Sequence, residues 1–357
     1  TLQRRSPEQL GQHGIVALAE AQLHVDTLAT ARILAASPNA HVYGFTASPW
    51  RLDAKPMGAI YQALFQLATP SELVGQGILV PHRCFGPPGP DLSKVRVNAS
   101  GEYDLVQLEN ACNQSELVGD VASTYAMHCW GYGYALSTIL FATSVAHSIA
   151  CRNALRDRGV RAEHVDGETP RAVRDELIRQ LKAREIDVLC NVQILTTGFD
   201  YRGLECIIMA RPTKSLSLFL QMAGRVLRSS PETGKTHALI LDHVRNVMTH
   251  GFPLADHEWT LAQSKKRAKA EPAQPLRTCP KCYAVFAPVP VCPECGYVFQ
   301  IQVREIEKRA GELSEIAVAY TREEREVEFK KLCAAAIASH LGRKFVSMTY
   351  AKKFGMR

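Results

Sequence analysis

The chain has 357 residues, of which 46% are hydrophobic and 22% are charged, as is usual for a globular protein that buries a core. Lys and Arg outnumber Asp and Glu by 42 to 35, and the net charge of +7 permits a nucleic-acid partner without requiring one. The odd number of cysteines, 11, argues against a secreted disulfide scaffold, and no apolar run reaches the roughly 18 residues of a membrane span. No signal peptide is recognised, so we expect a cytoplasmic protein. Because the chain begins with Thr1 rather than Met, we also expect a processed protein or a fragment.

Two strands and one helix are predicted in the first 83 residues. Residues 13–24 predict a buried strand with its exit loop, 28–36 a helix, and 41–45 a second strand. The order strand, helix, strand is typical of α/β domains. Three elements are too few for a complete domain of this class, so residues 1–83 are predicted to form a partial one.

A second α/β block is predicted at 126–245, after a connector at 84–125 whose first part is rich in Pro, Gly, Asp and Asn. Gly159 suits a helix end and Pro170 the first turn of a helix. The predicted strands are 138–143, 161–165, 187–191, 206–210 and 237–241, and the predicted helices are 145–158, 169–184 and 216–227. This alternation predicts a parallel sheet with both faces covered by helices.

Four of the cysteines form two CPxC pairs separated by nine residues, within a predicted module at 277–299 that follows a linker at 246–276. Two CxxC turns bring four thiolates to one tetrahedral Zn²⁺, and an iron–sulfur or redox site is the alternative. The predicted zinc ligands are Cys279, Cys282, Cys292 and Cys295. The module is either a structural staple or a docking site for nucleic acid or protein.

Aromatic side chains of this module and of the tail leave two interpretations open. Those of the module either pack around the metal or stack on bases, and they belong to Tyr283, Phe286, Tyr297 and Phe299. Residues 300–357 predict a helical tail with a basic end. Its interleaved Lys and aromatic residues, over 344–354, indicate either a nucleic-acid contact or a solvated helix.

The most specific pattern is QxxGRxxR at 221–228, on a predicted helix. Gln221, Arg225 and Arg228 stand at i, i+4 and i+7 and therefore share one face. A guanidinium can donate two hydrogen bonds to phosphate oxygens and can stabilise the charge that develops in phosphoryl transfer. Taken alone, the pattern also fits a surface helix with paired arginines.

Five segments in a fixed order resemble the motifs of superfamily 2 helicases. Ser48 stands where that family usually has Thr. The segments are 44–53 (GFTASPWRLD, motif III), 139–144 (ILFATS, motif IV), 164–170 (HVDGETP, the segment after it), 195–200 (LTTGFD, motif V) and 221–228 (QMAGRVLR, motif VI). The closest resemblance is to the branch that holds type III restriction-enzyme-like and XPB-like helicases, including phage members. It places the protein in a bacterial or phage-infected cell.

The resemblance implies two RecA-like lobes, the first incomplete here, which clamp ATP and Mg²⁺ while nucleic acid crosses the top. It implies that Arg225 and Arg228 are arginine fingers and that Gln221 lies beside them. Gly198 and Asp200 would contact the nucleotide, and Asp200 would bind either the ribose or the two arginines. The implied coupling and backbone contacts are Thr46, Ser48, Thr143, Thr196 and Thr197.

Two expected motifs depart from the family. Motif II aligns with residues 19–22 (AEAQ), which keep Glu20 as the candidate water-activating base but have Ala19 where a Mg²⁺-binding Asp is expected. No phosphate-binding GxxxxGK[ST] loop is present. The tripeptide Gly234-Lys235-Thr236 lacks the earlier glycine and precedes a strand, so we predict a turn there.

Two functions of different classes follow. The first is an ATP-dependent helicase or translocase acting on nucleic acid, with DNA expected. The second is a non-hydrolysing nucleic-acid-binding or partner module derived from such a motor, which Ala19 and the missing loop favour. The intact 221–228 helix, with both Arg225 and Arg228 present, favours the first.

Overall fold

The computed structural model describes residues 13–25, 27–49, 51, 56–98, 101–112, 115–129, 135–195, 200–261, 275–300 and 321–354. The chain divides into two compact units, Thr1–Phe299 and Gln300–Arg357. The predicted contacts of Thr196, Thr197 and Gly198 lie outside the described residues, as do residues 262–274 of the predicted linker.

The first block is a small β-α-β unit. Strands β1 (Ile15–Ala19) and β2 (His41–Phe45) pair in parallel, and helix α1 (Leu28–Ala36) connects them. The hydroxyl of Thr27 accepts a hydrogen bond of 3.2 Å from the Thr30 amide and so caps α1. The two strands and the helix predicted for this block are present, but β1 was expected to be buried and only Val16 of its five residues is.

Among the described residues of this block, Ala21, Val25, Met57 and Tyr61 form a buried cluster, and Leu18 of β1 and Val42 of β2 pack against it. A side chain at Gly44 would lie 2.5 Å from the Tyr61 ring, so this position in β2 requires glycine. Large apolar side chains remain more than half exposed, namely those of Ile15, Leu23, Leu28, Tyr43 and Phe45.

The second block contains a six-stranded sheet in which every pair of neighbours is parallel. Apolar residues fill its strands, and almost every strand side chain is buried because helices cover both faces. In order across the sheet, the strands are β3 (His82–Phe85), β8 (Ala238–Asp242), β7 (Cys206–Met209), β4 (Thr138–Phe141), β6 (Val188–Asn191) and β5 (Ala162–Val165).

Helices pack on the sheet in two layers, each with its own apolar cluster. Phe219 and Leu181 belong to one cluster, and Tyr125 and Leu155 to the other. The helices of this block are α2 (Pro70–Gly75), α3 (Leu105–Cys112), α4 (Ser115–Cys129), α5 (Val145–Arg156), α6 (Arg171–Lys182), α7 (Leu216–Leu227) and α8 (Asn246–His250). The predicted α/β class with a parallel RecA-like sheet is confirmed.

Two local predictions change. Helix α6 begins at Arg171 rather than at 169, because Asp166 accepts a 2.9 Å hydrogen bond from the Thr169 amide and holds a turn that ends at Pro170. Strand β3 lies before the predicted second lobe, so the sheet starts earlier in the chain than residue 126. The segment after it, which was expected to be a connector, also supplies helices α3 and α4.

The cysteine module packs on the edge strand β3. Its two short strands, β9 (Arg277–Thr278) and β10 (Val285–Phe286), pair antiparallel. The Gly86 amide donates to the Tyr283 carbonyl at 2.8 Å, and Phe85 and Ala284 form an antiparallel bridge. The module therefore covers a sheet edge that would otherwise expose unpaired backbone groups.

The second unit contains two helices, α9 (Arg322–Ala338) and α10 (Arg343–Phe354), as predicted for the tail. A capping box between Thr321 and Glu324 starts α9, and Lys353 pairs with Glu328 at 2.5 Å. Within the described part of the chain, no helix has both the length and the apolar character needed to span a membrane.

Candidate functional site

Helix α7 carries the QxxGRxxR pattern. Ser215 caps its start by accepting a 3.2 Å hydrogen bond from the Leu218 amide. Phe219, Met222 and Val226 face the core and are fully buried. This apolar stripe fixes the rotation of the helix, so the positions of Gln221 and Arg225 project away from the sheet.

The Arg228 guanidinium forms an ion pair with the Asp200 carboxylate. Arg228 is the C-cap of α7 and has an extended backbone, so it leaves the helix instead of continuing the Gln221–Arg225 face. The structure thus brings motif V and motif VI residues together. This pair is one of the two contacts that the resemblance implies for Asp200, and its role in catalysis stays a prediction.

Glu20 lies beside α7. Its backbone adopts the left-handed conformation, φ 52° and ψ 49°, which ends strand β1 and turns the side chain. Its Oε2 atom accepts hydrogen bonds of 2.9 Å from Gln22 Nε2 and 3.4 Å from Gln221 Nε2. The candidate base of motif II and the first residue of motif VI are therefore in contact.

A second contact joins the first block to α7. The hydroxyl oxygens of Ser48 and Ser217 are 2.8 Å apart and buried. The Thr46 hydroxyl accepts a 3.0 Å hydrogen bond from the Ser48 amide, so motif III forms a tight turn against the start of α7. Because Ser217 and Gln221 are one helical turn apart, both contacts lie on the same side of α7.

Arg225 lies in a charged environment between the two blocks. Burial lowers its pKa most and nearby Arg228 lowers it further, while Glu20 and Asp200 raise it. The two arginines therefore repel one another, while the two carboxylates stabilise the charge of Arg225. A polyanion in this place would relieve their mutual repulsion.

Thr143 and Ser144 lie between strand β4 and helix α5, and Ser144 is the N-cap of α5. The Thr143 hydroxyl is 2.8 Å from His147 Nδ1, and the Ser144 hydroxyl donates to Glu109 Oε1 at 2.8 Å. Burial lowers the pKa of His147 to about 4, so the imidazole is neutral near pH 7. Thr143 is only 5% exposed, so its predicted contact with a phosphate backbone requires movement of its surroundings.

Sequence reasoning missed two acidic residues of the segment between β3 and α4. Glu109 contacts Ser144, while Glu102 accepts a 2.9 Å hydrogen bond from the Lys214 amide and a second from the Thr213 hydroxyl. These carboxylates sit near the N-terminal ends of α5 and α7, where negative charge is stabilised. No local pattern marks them, because each contact spans 35 residues or more.

The four predicted zinc ligands converge. Their sulfur atoms lie within 4.8 Å of one another, with Cys279 and Cys295 separated by 3.6 Å and Cys282 and Cys292 by 3.7 Å. Tetrahedral Zn–S bonds of about 2.3 Å place sulfurs about 3.8 Å apart, so the arrangement fits Zn²⁺.

The aromatic side chains of the module pack within it. Phe286 and Tyr297 both contact Phe299 edge-on, with ring centroids 6.0 Å and 5.2 Å apart. Arg277 stacks over the Phe299 ring at 4.5 Å. Packing, rather than base stacking, is thus the observed use of these three rings.

Several known proteins are similar in sequence to this chain, and residues 134–230 match the helicase conserved C-terminal domain. A 51.5 kDa protein of a Lactococcus phage is 34% identical over 263 residues, which cover 72% of this chain and 56% of that protein. The Saccharomyces cerevisiae protein IRC3, whose name describes an ATP-dependent helicase, is 34% identical over 154 residues, 43% of this chain and 22% of IRC3.

Among the solved structures that resemble this chain, one comes from a restriction enzyme. It is a fragment described as an HsdR subunit of a type I restriction enzyme from Vibrio vulnificus, with a TM-score of 0.52 and 19% identity. The likeness covers 67% of this chain and 45% of that one. The chain thus spans about half the length of the phage relative and of this structure, and less of IRC3.

Proposed function

Because the chain belongs to the superfamily 2 helicases, we propose that it serves ATP-dependent unwinding of, or movement along, nucleic acid, with DNA as the substrate. The six-stranded block is the second motor lobe, and residues 13–51 belong to the first. DNA is proposed because the motifs resemble the restriction-enzyme-like branch. The proposed compartment is the cytoplasm of a bacterial or phage-infected cell.

The observation that supports this function is the double contact between the first block and α7. Glu20 meets Gln221 at 3.4 Å, and Ser48 meets Ser217 at 2.8 Å. In a motor of two lobes, nucleotide binds at such a junction. Arg225, on the same helix, then faces the space where phosphates would lie.

In this proposal, each of the candidate site residues has a separate role. Arg225 and Arg228 neutralise phosphate charge, and Asp200 orients Arg228. ATP bound between the lobes supplies the phosphoryl group whose transfer to water drives movement. When ATP is hydrolysed, the turn at Thr46 and Ser48 transmits the movement of α7 to the first block. Gly198 contacts the nucleotide, and Thr143, Thr196 and Thr197 contact the nucleic-acid backbone.

The described residues at the end of β1 fit Mg²⁺ poorly. Ala19 offers a methyl group where the family has a carboxylate, and the Glu20 carboxylate accepts hydrogen bonds from two amides. Mg²⁺ prefers carboxylate oxygens in octahedral geometry. Hydrolysis is therefore expected to be slow. The cysteine module, by contrast, fits a structural Zn²⁺.

The second candidate function is a nucleic-acid-binding or partner module that does not hydrolyse ATP. Ala19 is the observation that favours it. The two functions differ in whether the arginines of α7 act on a phosphoryl group. Under the second function, nucleic-acid binding persists and no phosphate is released.

Substitution of Arg225 tests the proposal. Arg225→Ala should lower phosphate release by about a thousandfold or more, since an arginine finger contributes a factor of that order. Arg171→Ala is the matched control, because Arg171 is an exposed arginine on α6 with 92% of its side chain accessible. Equal rates for Arg225→Ala and the unaltered chain would refute the arginine-finger role.

A further inference from the structure

The tripeptide Gly234-Lys235-Thr236 forms a turn, as predicted, and its lysine makes an unusual set of contacts. Gly234 has φ 66° and ends a short 3-10 turn before strand β8. Lys235 Nζ donates to the carbonyl oxygens of Arg202 at 2.8 Å, Leu204 at 2.8 Å and Val226 at 3.0 Å. An ammonium has three N–H donors, so this side chain is fully satisfied by main-chain carbonyls.

The three carbonyls belong to two segments of the candidate site. Arg202 and Leu204 lie in the loop that follows Asp200, and Val226 lies in the last turn of α7. A positive charge at a helix C-terminus is also favoured by the helix dipole. Lys235 therefore connects the backbone that carries motif V to the backbone that carries motif VI.

The Asp200–Arg228 ion pair joins the same two segments on the side of the candidate site. Asp200 is two residues before Arg202, and Arg228 is two residues after Val226. Asp200 and Arg228 are both partly exposed, with 66% and 39% of their side chains accessible, so water competes with their attraction. A half-buried anchor whose three N–H groups are all bonded to main-chain carbonyls would fix the two backbones and keep this exposed pair in one geometry.

We infer that Lys235 is a positioning residue that sets the distance between the motif V loop and the end of α7, and thereby holds Arg228 against Asp200. The inference rests on the proposed function where it assigns Arg228 to the nucleotide. Arginine cannot replace Lys235 well, because its planar fork cannot point at three carbonyls that converge from two segments.

A double-mutant cycle tests the positioning itself without any ligand. Lys235→Met and Arg228→Ala are made in the full chain, singly and together, and the equilibrium constant for unfolding is measured by urea titration. If Lys235 acts through the pair, the loss caused by Lys235→Met is at least about threefold smaller in the Arg228→Ala background. Equal losses in both backgrounds would overturn the inference and make Lys235 a purely structural residue.

The functional consequence is measured as the affinity for a fluorescent ATP analogue. Lys235→Met should weaken binding at least about fivefold in the unaltered background and have little effect with Arg228→Ala. The matched control is Lys182→Met, because Lys182 Nζ lies 6.0 Å from the ring of Tyr201 on the same loop. Equal weakening by the control would overturn the assignment to Lys235. Coupling in unfolding, with no ATP binding by any variant, supports the positioning and refutes the proposed function.

Discussion

At the residue scale, position 19 separates the two candidate functions. The carboxyl end of β1 presents Ala19 and then Glu20, whose carboxylate is already engaged by the amides of Gln22 and Gln221. A second carboxylate at position 19 would give Mg²⁺ an anchor that leaves Glu20 available as a base. Slow hydrolysis is therefore expected to result from the absence of a carboxylate at position 19.

Ala19→Asp should raise the Mg²⁺-dependent affinity for ATP by about tenfold, equivalent to about 1.4 kcal/mol. Ala17→Asp is the matched control, because residues 17 and 19 are both exposed on the same face of β1. Affinity is measured by titration of a fluorescent ATP analogue with and without Mg²⁺. An equal gain from both variants would show a general charge effect instead of a metal anchor.

Buried histidines at the residue scale predict sensitivity to acid. Burial, with His128 and His147 nearby, lowers the pKa of His243 to about 3, and burial lowers that of His147 to about 4 against a weaker opposing effect of Glu109. Between these values and about 6.5, the unfolded chain binds more protons than the folded one, so stability falls as pH falls. Asp242 opposes this trend, because burial raises its pKa to about 6.

His243→Leu should make the free energy of unfolding less dependent on pH between 6.5 and 5, by up to about 1.4 kcal/mol per pH unit for one proton. Urea titrations at several pH values measure this dependence. The exposed His41 provides the control His41→Gln, which should leave the slope unchanged. A slope in His243→Leu equal to that of the unaltered chain would contradict the assignment.

At the element scale, the cysteine module packs as part of the six-stranded block. Val285 belongs to one apolar cluster of the sheet, and Ala284, Cys279 and Cys292 belong to the other, together with Phe85. Because metal binding and folding are coupled in such small modules, removal of the metal should expose the edge strand β3. Loss of zinc is thus expected to weaken the lobe itself.

Cys292→Ser should lower the zinc content well below one ion per chain and the melting temperature by at least about 5 °C. Burial of Val285 alone contributes about 1.5–3 kcal/mol, and each kcal/mol corresponds to roughly 2–4 °C in a domain of this size. Cys333→Ser, outside the cluster, is the control. Zinc content is measured by elemental analysis and melting by calorimetry. An unchanged melting temperature after zinc loss would show that the module does not stabilise the six-stranded sheet.

The elements whose evidence is local could be predicted from the sequence. Buried parallel strands are continuous apolar runs, and α1 and α7 have the predicted bounds because a cap and an apolar stripe define them. Strand β3 was missed because His82 and Arg83 interrupt its apolar character and its partner β8 is 156 residues later. Lys235 and Glu102 were missed as contact residues for the same reason, since their partners are set by the tertiary fold.

At the scale of the whole molecule, the sheet, α7 and the first block form one connected arrangement within Thr1–Phe299. Motifs that are up to 200 residues apart in sequence meet on α7, where Gln221 contacts Glu20. The net charge of +7 is compatible with a polyanionic partner. These features together favour a motor that acts on nucleic acid over a module that only binds it.

Phosphate release by the unaltered chain, measured with no nucleic acid, with single-stranded DNA and with RNA, tests the motor function most directly. We expect release to be slow because of Ala19, to rise severalfold with DNA, and to disappear in Arg225→Ala. Binding of DNA at the same concentrations with no DNA-dependent release would contradict the motor, and the non-hydrolysing module would then be the function of this chain.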